Sequence, residues 1–208
     1  MIYDLRQYTL APGTQGEYLK NNEEIGRKIR GDKYGKLEGY WATELGTLNR
    51  LVHLWEYEDP NQRERLRTEL GQNAAWKQDY SPKAQRNIIA KKFDLLYPIV
   101  PLVPAAGSGN RYEMRWYTTK PEGAKAFIEL FKGVAPLYQR LVPQVGLFRN
   151  ELGEVVQLSA WRSLDERAAK LDQLGQEPEW QAFAQRSNPL LERVTATILR
   201  PAKFSPMQ

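Results

Sequence analysis

The sequence predicts an α+β fold of two tandem ferredoxin-like β-α-β-β-α-β domains, packed sheet to sheet as a single-chain pseudo-dimeric α+β barrel. Three observations predict it: the chain repeats itself, each copy carries the same order of strand and helix signals, and each predicted sheet has helices for only one face. The repeat opens with Tyr3-Asp4-Leu5-Arg6-Gln7-Tyr8-Thr9, which returns as Tyr112-Glu113-Met114-Arg115-Trp116-Tyr117-Thr118, at 112 − 3 = 109. Glu44-Leu45-Gly46 returns as Glu151-Leu152-Gly153 (151 − 44 = 107), Trp55 as Trp161 (161 − 55 = 106) and Trp76 as Trp180 (180 − 76 = 104). The order is kept and the spacing drifts as loop lengths change. Copies of roughly 100 residues are domain-sized, so we place the domains at 1–104 and 105–208. The join is a run with Pro98, Pro101 and Pro104, followed by Ala105-Ala106-Gly107-Ser108-Gly109. Proline favours an extended chain and the small residues after it are flexible.

The elements follow in order. A first strand covers Tyr3–Leu10 and, in the second copy, Tyr112–Thr119. A helix follows, with Tyr18, Asn22, Ile25 and Ile29 on one face, and Ala124, Phe127, Ile128 and Phe131 in the second copy. Two strands come next, Leu37–Thr43 and Leu48–Tyr57, turning at Glu44–Gly46; their counterparts are Val145–Asn150 and Val155–Arg162. Asp59-Pro60 signals a helix start by placing a cap before a first-turn proline. Ser163-Leu164-Asp165-Glu166 does so with the spacing of a capping box. A short helix around Trp76 or Trp180 and a last strand, Asn87–Leu96 or Val194–Leu199, close each copy.

Composition narrows the chemistry. Zero cysteines among 208 residues exclude a disulfide framework, a thiolate metal site and a cysteine nucleophile, and a single histidine excludes any site needing two imidazoles. No carboxylate pair has metal-site spacing, so neither a metal nor a cofactor is expected. The net charge, 30 − 25 = +5, is spread along the chain instead of gathered on one stripe, which argues against a nucleic-acid partner. No apolar run reaches membrane-spanning length and the first residues carry no targeting pattern, so a cytosolic protein with no membrane partner is expected.

Strand alternation separates two faces. In the third strand Val52 and Leu54 suit packing under helices, while His53, Trp55 and Tyr57 share the other face with Arg6 and Tyr8 of the first strand. This mixed face is expected to point at the partner sheet, where Arg6, Tyr8, Trp41, His53, Trp55 and Tyr57 line a partly polar small-molecule cavity. His53, with an ordinary pKa near 6.5, is the candidate proton shuttle; by the tryptophan repeat its counterpart is Ser159. Arg6 would steady negative charge on a ligand, or serve structure by pairing with Asp4. The basic stretch Gly26–Lys36 reads as a solvated helix end, not a phosphate loop.

Three motifs together resemble the NIPSNAP family. They are Tyr-Asp-Leu-Arg-x-Tyr-Thr-Leu-x-Pro-Gly at 3–13, Gly39-Tyr40-Trp41-x-Thr43-Glu44-x-Gly46, and Val52-His53-Leu54-Trp55-x-Tyr57-x-Asp59 followed by Arg63. Trp76 also fits, and the second half keeps Arg115, Tyr117, Gly146, Glu151, Gly153, Trp161 and Trp180. The resemblance implies the dimeric α+β barrel fold, shared with small cofactor-free monooxygenases and ligand-binding proteins, and delivers no reaction. The expected function is therefore an unidentified small molecule bound between sheet and helices or between the two sheets, in a cofactor-free oxygenase- or isomerase-like site. The alternative is a non-catalytic interaction module whose aromatic face is structural. Beyond the intrachain pseudo-dimer, pairing of two chains stays open.

Overall fold

In the computed structural model, which describes residues 1–208, the alternating strand β1 (Ile2–Leu10) is the centre of the first sheet. It pairs antiparallel with β3 (Arg50–Tyr57) on one side and with β4 (Ile88–Val100) on the other; β2 (Lys36–Leu45) completes the order β4-β1-β3-β2. Between β1 and β2 run α1 (Gln15–Asn21), a π-helical turn (Asn22–Gly26) and α2 (Arg27–Arg30). Gly31 ends this segment at φ +52°, a conformation that glycine adopts without Cβ strain. Between β3 and β4 come α3 (Pro60–Gln72), a second π-helical turn (Trp76–Tyr80) and α4 (Ser81–Gln85).

The second sheet repeats the plan as β8-β5-β7-β6, built from β5 (Arg111–Thr119), β6 (Gln144–Asn150), β7 (Val155–Trp161) and β8 (Leu191–Pro201). Its helices are α5 (Gly123–Leu141), α6 (Leu164–Gln176) and α7 (Pro178–Ser187), with a short 3-10 turn before β8. Each copy thus has the order β-α-β-β-α-β.

Both expected helix starts are capped by their side chains. The Asp59 carboxylate accepts from Gln62 N at 2.8 Å, and Ser163 Oγ accepts from Glu166 N at 3.0 Å. The residues three further on return the favour one position early: Gln62 Oε1 accepts from Glu58 N, and Glu166 Oε2 from Arg162 N.

The chain divides into two units, Met1–Leu96 with Arg200–Gln208, and Tyr97–Leu199. This differs from the single cut expected between 104 and 105. The final residues belong to the first unit because Ala202 N donates to Tyr40 O at 2.9 Å and Tyr40 N donates to Ser205 Oγ at 2.9 Å. The proline run is also less of a linker than expected: β4 continues through Pro98 to Val100.

One expectation is reversed. The mixed face of the first sheet does not look away from its helices. Arg6, Tyr8, His53 and Trp55 share one cavity with Tyr18, Asn22, Arg30, Trp76 and Tyr80, all of them helical. The aliphatic set, Leu5, Val52 and Leu54, lies on the opposite face by strand alternation. Residue size had assigned aliphatics to the helices; the helices themselves carry aromatic and polar side chains inward and accept the mixed face.

The helix segment explains how. Periodicity put Tyr18, Asn22, Ile25 and Ile29 inward. The π turn adds one residue to the winding, so the buried positions are Tyr18, Asn22, Gly26 and Arg30, while Ile25 and Ile29 are only partly covered. In the uninterrupted α5 the corresponding buried residues are Phe127, Phe131, Val134 and Tyr138. The spacing falls from 127 − 18 = 109 to 138 − 30 = 108, the mark of one inserted residue. No helix is long and apolar enough to cross a membrane.

Candidate functional site

The cavity beneath the helices of the first unit measures about 60 Å³. A water needs ~10–15 Å³ of such space, so the cavity holds a few waters or the head of a small molecule. It is far below the ~300 Å³ of a drug-sized pocket. Of the six residues expected at the site, Arg6, Tyr8, His53 and Trp55 line it.

Trp41 does not. A bulge between Leu37 and Gly39 sets Tyr40 opposite His53 and Trp41 opposite Val52, on the far face. There the Trp41 ring lies on Gly39, where an added Cβ would meet it at 1.9 Å; Phe148 lies on Gly146 in the same way, at 2.6 Å. Tyr57 shares the face of His53 but stands behind the cavity wall, where its hydroxyl accepts from Arg30 Nη2 at 2.9 Å.

His53 is held on three sides. The Tyr40 ring stacks on it at 4.6 Å with an interplanar angle of 4°, and Tyr8 meets it edge-on at 4.7 Å. Trp55 Nε1 donates to His53 Nδ1 at 2.6 Å. An indole N–H only donates, so Nδ1 is the bare nitrogen and the neutral ring carries its proton on Nε2. That Nε2 is buried without a hydrogen-bond partner. Burial first, then the charges of Arg6 and Arg30, hold the protonation of His53 well below its ordinary pKa. These facts recast the expected proton shuttle. The N–H that His53 has free is a hydrogen-bond donor, and its basic nitrogen is already occupied.

Arg6 is anchored. Its Nε and Nη2 donate to Asp4 Oδ2 at 3.1 and 2.8 Å, Arg63 Nε donates to the same oxygen at 2.7 Å, and Arg67 lies 3.9 Å away. Burial opposes the charge on Asp4, but Arg6 and Arg63 outweigh it and keep the carboxyl below the usual range. The second unit builds the same device from Glu113, Arg115 and Arg167. What it lacks is the histidine: strand register sets Arg6 opposite His53 but Arg115 opposite Gln157, not the Ser159 expected from the tryptophan spacing. It also lacks the polar wall, since Phe127, Phe131, Phe183 and Tyr138 pack into one cluster under its sheet.

Sequence reading missed Tyr40, Asn22, Tyr80 and Arg30. Asn22 Nδ2 donates to the hydroxyls of Tyr40 at 3.2 Å and Tyr80 at 3.0 Å. Arg30, assigned to a solvated helix end, is 4% exposed. Its guanidinium carbon lies 3.2 Å from the centre of the Trp55 ring, and Nη2 also donates to Tyr34 O at 3.0 Å. Four-residue steps from Tyr18 through Asn22 and Gly26 to Arg30 were the available signal. No group of three or more histidine, aspartate or glutamate side chains is placed to hold a metal.

An α+β protein of two repeats, with a small polar cavity in one and a packed apolar core in the other, is the class these features define. A sequence model of the NIPSNAP family matches residues 3–101 and 112–206. The chain belongs to the NIPSNAP family. The human protein NipSnap homolog 3A is 27% identical over 216 residues, covering 100% of this chain and 86% of the human protein. Two solved structures share the fold. One, from Fusobacterium nucleatum and described as a candidate monooxygenase, aligns at TM-score 0.73 with 12% identity over 97% of this chain and 92% of its own. The other, an anthrone oxidase-like protein, aligns at TM-score 0.66 with 11% identity over 97% and 93%. At these identities they speak to the fold alone.

Proposed function

We propose that the first unit binds a small molecule in the cavity between its sheet and its helices, as a cofactor-free oxygenase- or isomerase-type site for an enolisable substrate. The observation that carries this reading is the contrast between the repeats. The same scaffold closes with phenylalanines in the second unit, so the fold does not require the polar wall of the first. In this reading the His53 Nε2–H donates to a substrate oxygen and Arg6 contributes positive charge nearby, which acidifies the α C–H; its proton leaves to water in the cavity, since the wall holds no carboxylate and His53 Nδ1 is taken. Trp55 is a positioning residue, since its indole selects the His53 tautomer. The sheet-to-sheet pseudo-dimer of the two repeats, an unidentified small molecule as partner, and a cytosolic setting belong to the same proposal.

One observation favours the second reading, a non-catalytic module. The Asp4–Arg6 pair recurs as Glu113–Arg115 beneath a unit with no such wall, so Arg6 has a structural duty. The experiment incubates the protein with small α-keto acids and 1,3-diketones, following α-proton exchange in D₂O by NMR and oxygen uptake by electrode. Exchange or uptake that falls at least tenfold in His53→Gln supports the catalytic reading. Wild-type protein that does neither, or activity that His53→Gln leaves intact, hands the site to the second reading.

A further inference from the structure

We propose that the cavity takes a small carboxylate held by Arg30 and His53, a choice of ligand class that rests on the small-molecule reading above. The cavity wall contains three guanidinium groups and no carboxylate. Two of the three are answered within the first unit: Arg6 by Asp4 at 2.8 Å and Arg27 by Asp32 at 3.2 Å. Arg30 is not. Its protein partners are a peptide carbonyl, a phenol and an indole face, all neutral, and its Nε is buried with no partner. A buried cation is tolerated when it is paired, and no pairing group stands in the wall.

His53 supplies the second orphan. With Nδ1 taken by Trp55, its Nε2–H faces no acceptor of the protein. Two buried groups that only donate, lining one cavity, call for a ligand that only accepts. A carboxylate has two oxygens in one plane, which matches the edge of a guanidinium and leaves a lone pair for a neutral imidazole N–H. The volume of about 60 Å³ suits formate, acetate or the carboxylate head of a slightly longer chain.

The donors are fixed in advance. Trp55 holds both, by its N–H to His53 and by its ring against Arg30, while Tyr57 and the Tyr34 carbonyl hold the far side of the guanidinium. In the second unit Tyr138 follows Arg30 at the shifted spacing of 138 − 30 = 108 and packs among aromatics, so no such demand arises there.

The test uses the full chain at constant ionic strength. Saturation-transfer NMR and thermal unfolding compare acetate with acetamide, its neutral isostere, and with inorganic phosphate. Acetate is expected to bind at least tenfold more tightly than acetamide or phosphate, and Arg30→Gln to lose at least tenfold of that affinity. Arg30→Met serves as the second variant. It removes an unanswered buried charge, and the Tyr57 hydroxyl still donates to Tyr34 O at 3.2 Å, so this variant is expected to unfold at a higher temperature than wild type and to ignore acetate. Equal binding of acetate and acetamide keeps the small-molecule reading and overturns the carboxylate. Binding of neither overturns both. An acetate response that survives in Arg30→Met, or that phosphate matches, assigns the effect to surface charge and overturns the site.

Discussion

His53 is the only histidine in the chain, and its environment makes its titration a direct probe of the cavity. Burial, Arg6 and Arg30 depress its folded-state pKa well below the ordinary 6.5. Below pH ~6.5 the unfolded chain takes up a proton that the folded one refuses, so stability rises with pH through this window and is flat above it. The slope is at most ~1.4 kcal/mol per pH unit. Urea unfolding from pH 5 to 8 should show that His53→Gln loses less stability on acidification than wild type, with parallel curves above pH 7. Curves parallel throughout would mean that His53 titrates normally and is not sealed under the helices. The depressed carboxyls of Asp4 and Glu113 have the same sign, but their contribution is present above their ordinary pKa values near 4 and is lost only below them. At this scale strand alternation grouped His53, Arg6, Tyr8 and Trp55 on one face, but residue size turned that face away from the helices that cover it. It misplaced Trp41 because a bulge shifts the parity of β2 by one residue, and no local signal marks a bulge except Gly39 itself.

The π turns decide which residues meet the sheet. Asn22–Gly26 and Trp76–Tyr80 both supply cavity residues, and the helices of the second unit contain no such turn. They also meet each other: a Cβ added at Gly26 would lie 2.7 Å from the Tyr80 ring. Tyr80 is buried and its hydroxyl is tied to Asn22, so the ring cannot simply swing away. Gly26→Ala is therefore expected to destabilise by ~1–3 kcal/mol, the range of an overpacked core, despite alanine's better helix propensity. Gly16→Ala is the control, because nothing lies within 4 Å of its added Cβ; there propensity alone operates and gains ~0.5–1 kcal/mol. Denaturant midpoints separate the two, and a stabilising Gly26→Ala would contradict the close packing of the π turns. Helical periodicity read the elements correctly, but it assumes 3.6 residues per turn throughout. One inserted residue carried Arg30 into the cavity and turned Ile29 partly outward, which is why the most consequential cation of the site read as solvated.

At the scale of the molecule, the repeat was the most legible feature, because identical letters at near-constant spacing need no structural assumption. The return of the chain end to the first unit was not legible, since no strand or helix period runs through Arg200–Gln208. That tail bears directly on the site. Tyr40, the ring stacked on His53, has its backbone N–H and carbonyl satisfied by Ser205 and Ala202, and Phe204 packs on the Tyr40 ring at 4.9 Å. Met207 is buried as well. Ending the chain at Pro201 removes two backbone-linked hydrogen bonds, each a net ~1 kcal/mol, together with the partial burial of Phe204 and the burial of Met207, the latter at ~1.5–3 kcal/mol for a fully buried side chain. The expected loss is several kcal/mol, felt where the tail docks. Hydrogen exchange should therefore accelerate in β2 and β3 of the truncated protein, while the amides of α5 and β7 in the second unit keep their protection. Uniform acceleration in both units would show that they unfold as one cooperative body. Unchanged exchange in β2 would show that the tail is dispensable to the wall on which Tyr40 and His53 stand.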